Sequence, residues 1–134
     1  MVPIVNAWVK GQRVTNVYVD GGAQMCVMTK NLMHKLRLEV DTPSQSKVKL
    51  ANSSSIKCVG IIHDLKIKVF DVEVAIDMYV IPARGEGYLV ILGRPWLNAM
   101  NARQDWEKGT LVLKPLRKGD KPRRTRVYNL REGR

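Results

Sequence analysis

Short β-branched and aliphatic runs recur along the chain, with turn-forming residues between them. Three pairs of runs flank short turns and predict hairpins: residues 4–9 with 14–19, 47–50 with 56–62, and 65–69 with 72–80. A further apolar run at 88–92 is typical of a buried strand, and a turn at 107–109 precedes a final strand at 110–113. The pattern predicts a small all-β barrel or sandwich rather than βαβ units.

Two short helices are expected to interrupt the strands. Thr29 can cap a segment that places Leu32, Met33 and Leu36 on one face, and Pro95 can occupy the first turn of a helix at 95–100. Their apolar faces are expected to cover the ends of the barrel.

The chain has 134 residues, 45% of them hydrophobic, which suits one compact domain. After residue 113 the apolar alternation fades into Lys, Arg, Gly and Pro. We therefore predict a folded domain at 1–113 and a basic, flexible tail or linker at 114–134.

Charge is concentrated in that tail, where nine Lys or Arg residues face two acidic ones, within a net charge of +11 for the whole chain. The tail could contact RNA weakly through phosphates, and Tyr128 could stack on a base. A solvated linker needs no such ligand, and we consider the linker the simpler explanation.

The chemistry-bearing residues argue against metal and membrane. Cys26 and Cys58 lack CxxC spacing, and the two histidines form no ligand cluster with them, so we expect reduced, buried thiols and neither metal nor cofactor. The sequence has no long apolar span and no signal-like start. We therefore expect an intracellular, cytoplasmic protein with no membrane partner.

One carboxylate stands out because of its position. Asp20 ends the apolar run Val-Tyr-Val and is followed by Gly21, Gly22 and Ala23. Alone, Asp-Gly after a strand is more often a hairpin turn than a catalytic loop. A second motif lies downstream, where the apolar run Leu-Val-Ile-Leu is followed by Gly93, Arg94 and Pro-Trp-Leu.

Together the two motifs resemble those of the retropepsin family of aspartic proteases, the DTGA or DSGA loop and the later hydrophobic-hydrophobic-Gly sequence. ILGRPWL resembles the version carried by gypsy-type plant LTR retrotransposons, and VDGGAQM resembles the retropepsin-like domain of DNA-damage-inducible ubiquitin-shuttle proteins. The resemblance covers roughly residues 4–113. It implies a closed β-barrel with one or two short helices that functions as a two-fold homodimer.

The resemblance implies that Asp20 is catalytic. Metal-free peptide hydrolysis needs one carboxylate to accept a proton from water and another to donate a proton to the amide. The chain has one such loop, so the second carboxylate would come from another copy of the chain. Gly22 would let backbone amides approach the carboxylates, and Ala23 would begin the wall of the cleft.

The family also implies a flap over the cleft and subsites for an extended peptide. The flap would be the polar hairpin tip, although an ordinary surface hairpin would explain the tip equally simply. Residues expected to form the flap are Asn52, Ser53, Ser54 and Ser55. Residues expected to line or support the subsites are Val27, Ile56, Ile91 and Leu92, for which core packing is an equal explanation.

The sequence departs from the family at two positions. Gly21 stands where the family has Thr or Ser, whose hydroxyl bonds across the dimer, and the lost pair of hydrogen bonds is worth on the order of 1–3 kcal/mol. Arg94 pairs in many relatives with an acidic residue, but the equivalent position is Gln24, whose amide oxygen could accept more weakly. Asp105 is an alternative partner for Arg94.

Three functions fit these features. The first is a homodimeric aspartic endopeptidase that matures a retrotransposon polyprotein, or that cleaves a host protein if domesticated. The second, favoured by Gly21, is a retropepsin fold kept as a dimerisation or peptide-binding module without catalysis. The third is a basic, nucleic-acid-associated module with a barrel that merely resembles the protease.

Overall fold

The computed structural model describes residues 2–44, 46–49, 55–105, 110–113, 126–129 and 131–133. Its two helices are α1 (Lys30–Lys35) and α2 (Arg94–Ala99). Its strands are β1 (Val2–Val9), β2 (Gln12–Val19), β3 (Cys26–Thr29), β4 (Thr42–Pro43), β5 (Lys47–Lys49), β6 (Ser55–Lys57), β7 (Gly60–Val69), β8 (Val72–Ile81), β9 (Val90–Leu92), β10 (Ala102–Asp105), β11 (Thr110–Leu113), β12 (Arg126–Asn129) and β13 (Arg131–Gly133).

The three predicted hairpins are present as β1–β2, β5–β6 and β7–β8. The β1–β2 turn has positive φ at Lys10 and Gly11, and the β7–β8 turn has positive φ at Phe70 and Asp71. Two consecutive residues of this kind suit the right-handed twist of paired strands. The predicted turn at 107–109 lies outside the described residues.

The predicted strand at 56–62 is wrong as a single element, because it divides between two sheets. Ser55–Lys57 pairs with β5, whereas Gly60 begins the long strand that pairs with β8. In between, the Cys58 N–H donates to the carbonyl of Ser46 at 2.8 Å and the Val59 N–H donates to the carbonyl of Val80 at 2.7 Å. The backbone therefore changes partner within two residues without leaving either amide unpaired.

Six strands close into a barrel in the order β1-β2-β9-β3-β8-β7, and Trp8 of β1 pairs with Lys68 of β7 to complete the ring. Strand β9 is parallel to β2 and antiparallel to β3, while β3 is parallel to β8. The predicted all-β barrel is confirmed. Its closure inserts β9 between the strands on either side of the Asp20 loop.

Both helices contribute buried residues to the core, as predicted. Helix α1 and its C-terminal residue bury Leu32, Met33 and Leu36, and α2 and its C-terminal residue bury Trp96, Leu97 and Met100. Thr29 occupies the N-cap position of α1, but its side chain does not cap the helix. Its hydroxyl instead accepts a hydrogen bond from the Leu89 N–H at 3.2 Å, which ties α1 to the chain entering β9.

The buried apolar residues form two clusters. The larger fills the barrel and contains Cys26, whereas the smaller contains Cys58 and lies next to the β5–β6 hairpin. Both cysteines are free and buried, which confirms the expectation of reduced core thiols.

Three strands were not anticipated from sequence. Strand β10 pairs with β11, and two segments of the basic range 114–134 form β12, paired with β11, and β13, paired with β1. A boundary after residue 113 stays a prediction, as does the flexibility of the tail. Any such boundary would be crossed by these two pairings.

Candidate active site

Asp20 lies where β2 ends and the chain turns towards β3. Tyr18 and Val19 pair in parallel with Ile91 and Leu92, and the Asp20 N–H continues this ladder by donating to the Leu92 carbonyl at 3.0 Å. A backbone amide fixed in this way holds the Cα of Asp20 in place. Its side chain is partly exposed at the edge of the barrel.

The carboxylate of Asp20 is held by the loop that follows it. The Gly22 N–H donates to Asp20 Oδ1 at 2.9 Å, and the Ala23 N–H donates to the Asp20 carbonyl at 3.2 Å. A Cβ on Gly22 would lie 3.3 Å from the same Oδ1, a tight contact. Position 22 therefore brings an amide to the carboxylate without a side chain in between, the arrangement expected for Gly22.

Gly93 lies directly beneath the Asp20 loop. A Cβ at this position would overlap the carbonyl oxygens of Ala23 and Met25, both backbone atoms that cannot rotate away. The neighbouring Arg94 N–H donates to the Ala23 carbonyl at 2.8 Å, and the Gly93 N–H donates to the Cys26 sulfur at 3.4 Å. The second motif is thus physically joined to the first.

The Arg94 guanidinium is exposed and donates to Asn98 Oδ1 at 3.2 Å, one turn along α2. The suggested contact with Gln24 is wrong for the described chain, because this i,i+4 contact within the helix takes the guanidinium instead. The side chain of Asp105 lies outside the described part, so that alternative stays a prediction.

Gly21, the main departure from the family, is partly exposed between Asp20 and Gly22. Among the described glycines, positive φ occurs at Gly11 and Gly85, so Gly21 does not occupy the left-handed region. Its backbone is therefore compatible with Ser or Thr.

The smaller apolar cluster supplies a wall next to the Asp20 loop. Val27 is fully buried there, and Ile56 and Ile91 pack against the same cluster, so three of the four predicted subsite residues lie together. Leu92 does not join them, because it points into the main core. Sequence analysis missed Val48 and Ile81, both buried in this cluster. The alternation Lys-Val-Lys in β5 was a usable signal for Val48.

An open groove of about 400 Å³ runs between the Asp20 loop and the β5–β6 hairpin. Its floor includes Ala23, Met25 and Val27, and its opposite side carries the exposed Lys47 and Lys49 on either side of Val48. Ser55 is the exposed first residue of β6. The other predicted flap residues, Asn52, Ser53 and Ser54, lie outside the described residues, and the flap stays a prediction.

Cys26 lies below the loop, at the start of β3. Burial raises the pKa of its thiol above the ordinary value of 9.0, and hydrogen bonds from the backbone of Gly93 and Trp96 oppose part of that rise. A thiol that holds its proton is a poor nucleophile. Cys26 is therefore a packing residue of the loop rather than a reactive group.

Two further features were searched for in the described part of the chain. No group of three or more His, Cys, Asp or Glu residues there could hold a metal ion. No helix of those residues is long and apolar enough to cross a membrane.

The barrel and its loop define a known class of protein. The crystal structure of the retroviral protease-like domain of Ddi1 from Leishmania major matches with a TM-score of 0.64 and 21% sequence identity, over 91% of this chain and 99% of that one. At this identity the match establishes a retropepsin-like fold. A search of curated proteins finds no match.

The family follows from the sequence match. The model of the PEG10/RTL1 protease domain matches residues 16–116, which include both the Asp20 loop and the Gly93 motif. The chain belongs to the PEG10/RTL1 protease domain family. The expected retropepsin resemblance is confirmed, whereas a plant origin stays a prediction.

Proposed function

We propose that this chain is one subunit of a homodimeric aspartic endopeptidase. The observation that carries the proposal is the Asp20 carboxylate at the end of β2, held by the Gly22 amide beside an open groove. The family match supports it, since the matched protease domain spans the loop and the second motif.

The proposed reaction needs two carboxyl groups close together that share one proton. The unprotonated Asp20 takes a proton from water, whose oxygen attacks the peptide carbonyl. The protonated Asp20 of the second copy donates to the amide nitrogen as the C–N bond breaks. Each chain has one such loop, so a two-fold axis beside Asp20 would supply the pair. No cofactor enters this mechanism.

The substrate proposed for the groove is an extended peptide. Backbone hydrogen bonds along its length would fix the register, and alternate side chains would enter the apolar wall formed by Val27, Ile56 and Ile91. A retrotransposon polyprotein, or a host protein if the domain is domesticated, is the native substrate we propose.

A second candidate function rests on Gly21. Without a hydroxyl at this position, the two loops of a dimer would lose a pair of bonds, and the dyad would be less rigid. The same barrel and groove could then bind peptides, or join two copies, without cleaving anything.

Incubation of the purified chain with a peptide library separates the two candidates. An endopeptidase releases new termini at defined sites, and a pepstatin-like compound, which occupies an aspartic dyad, stops the release. Binding of library peptides without any new termini, at protein concentrations where the chain is dimeric, would favour the binding module.

A further inference from the structure

Trp8 is a large aromatic side chain that the barrel leaves exposed. Its neighbours Ala7 and Val9 on β1 point inwards and are buried, whereas Trp8 faces outwards and remains 46% exposed. The indole therefore lies on the outer surface of the sheet and offers an aromatic face to solvent.

Cations flank this indole on both neighbouring strands. Trp8 pairs with Arg13 of β2 on one side and with Lys68 of β7 on the other. All three side chains are exposed, and directly paired residues lie on the same face of a sheet, with Cβ atoms about 5 Å apart. The row thus places one positive charge on each side of an open aromatic ring.

A groove of about 850 Å³ extends from this row, where β1 and β7 diverge. Trp8 and Phe70 line it, together with Lys10, Lys66 and Lys68. With Arg13, four cations surround the two acidic residues of the groove, Asp71 and Glu73. The surface is a positively charged groove centred on an aromatic residue.

We propose that this surface binds a single-stranded polynucleotide, with a base stacked on Trp8 and the phosphates next to Arg13, Lys66 and Lys68. Stacking of bases on aromatic side chains along a basic groove is how single strands are bound without sequence preference. An acidic peptide would use the cations but leave the indole without a stacking partner. A duplex would keep its bases away from the ring.

The surface is distinct from the Asp20 site. Arg13 precedes Asp20 by seven residues along the extended strand β2, a separation of about 23 Å. Polynucleotide binding is therefore independent of the proposed protease activity. The basic tail adds its own attraction for phosphates, so single substitutions in the full chain must separate the two contributions.

Fluorescence anisotropy with a labelled oligouridylate of about 12 nucleotides, measured over a range of salt concentrations, tests the proposal. Trp8→Ala should weaken binding about 5- to 100-fold at unchanged salt dependence, and Trp8→Phe should restore much of the loss. The double variant Lys66→Glu with Lys68→Glu should weaken binding and lower the slope of log affinity against log salt by about 2.

A matched control lies elsewhere on the barrel. Tyr88 is 50% exposed, with the Lys35 ammonium 5.0 Å from its ring centroid. Tyr88→Ala and Lys35→Glu repeat the two kinds of change on another aromatic-cation pair. Both should bind as the parent does, apart from a small general effect of charge for Lys35→Glu.

Circular dichroism verifies that each variant is folded, and if Trp8→Ala is not, the exposed lysine pair decides. The proposal is overturned if the Trp8 and lysine variants bind like their controls, which would assign binding to the tail alone. It is also overturned if oligoglutamate or a duplex of equal length binds as tightly as the single strand with the same dependence on Trp8.

Discussion

The backbone N–H of Arg94 donates to the carbonyl oxygen of Ala23 at 2.8 Å and thereby joins the start of α2 to the loop that carries Asp20. This contact needs the two backbones to be close, and Gly93, between β9 and Arg94, leaves room for that approach. The Gly of the second motif is thus explained by the position of the first.

Gly93→Ala should destabilise the fold. Its methyl group would overlap the backbone oxygens of Ala23 and Met25, which can move only if the Asp20 loop moves with them. We expect the free energy of unfolding to fall by roughly 1–3 kcal/mol, the usual range for overpacking. Urea unfolding followed by circular dichroism measures it.

Gly87→Ala is the matched control, because a Cβ on Gly87 would meet no atom within 4 Å and its φ is not positive. The control should leave the free energy of unfolding within about 0.5 kcal/mol of the parent. Equal stabilities for the two variants would contradict the close approach at Gly93.

Much of the barrel could be predicted because its signals are local. Alternation between buried and exposed residues identified β1, β2, β7 and β8, and the turns between them are two residues long. The position of β9 could not be predicted in this way. Its pairing with β2 joins Tyr18 to Ile91, and an apolar run of three residues does not specify which strands lie beside it.

Composition concealed the remaining strands. Strand β10 reads Ala-Arg-Gln-Asp, which has no apolar alternation, and β12 and β13 lie in a range rich in Lys and Arg. Backbone pairing with β11 and β1 accounts for them, and backbone hydrogen bonds leave little trace in side-chain pattern.

The site was predictable where the chemistry is local and less so where packing decides. The Asp20 loop follows from its motif, but Leu92 and Ile91 are adjacent apolar residues of one strand and point to opposite sides of it. Arg94 could equally have reached Gln24, and only the helical geometry of α2 gives it Asn98 instead.

Cys26 should resist alkylation in the folded protein. It is fully buried, and burial raises the pKa of its thiol, so little thiolate is present near neutral pH. In a Cys58→Ala variant, iodoacetamide should label Cys26 only after urea unfolding, as mass spectrometry would show. Rapid, complete labelling of the folded variant would contradict this burial.

The same pKa shift predicts a loss of stability in alkaline solution. Because the folded thiol holds its proton more tightly than the unfolded thiol, its contribution is full below pH 9.0 and is lost as pH rises through the raised pKa. Between about pH 8 and about pH 10, the parent should lose more stability than a Cys26→Ala variant. Parallel losses in both proteins would show that Cys26 is not responsible.

Gly21→Ser and Gly21→Thr should tighten the dimer. A hydroxyl at this position can bond across the two-fold axis, and the backbone of Gly21 is not in a conformation that excludes side chains. Analytical ultracentrifugation should show dimer dissociation constants lower by about 5- to 150-fold, the equivalent of roughly 1–3 kcal/mol.

Cleavage rates of these variants should rise at low protein concentration and converge with the parent when nearly all chains are paired. Folded variants with unchanged association and unchanged rates would show that the missing hydroxyl does not limit the protein.

The central claim, that each of two chains supplies one catalytic Asp20, is tested most directly by adding Asp20→Asn chains to a fixed amount of parent. The substitution keeps the size of the side chain and removes its ionisable group, so the variant should fold and have no activity. Mixed dimers would hold one carboxylate and be inactive. Under random pairing, parent activity should fall to about half at equal amounts and about one tenth at ninefold excess. Undiminished parent activity with the variant in excess, or full activity of Asp20→Asn by itself, would contradict the account.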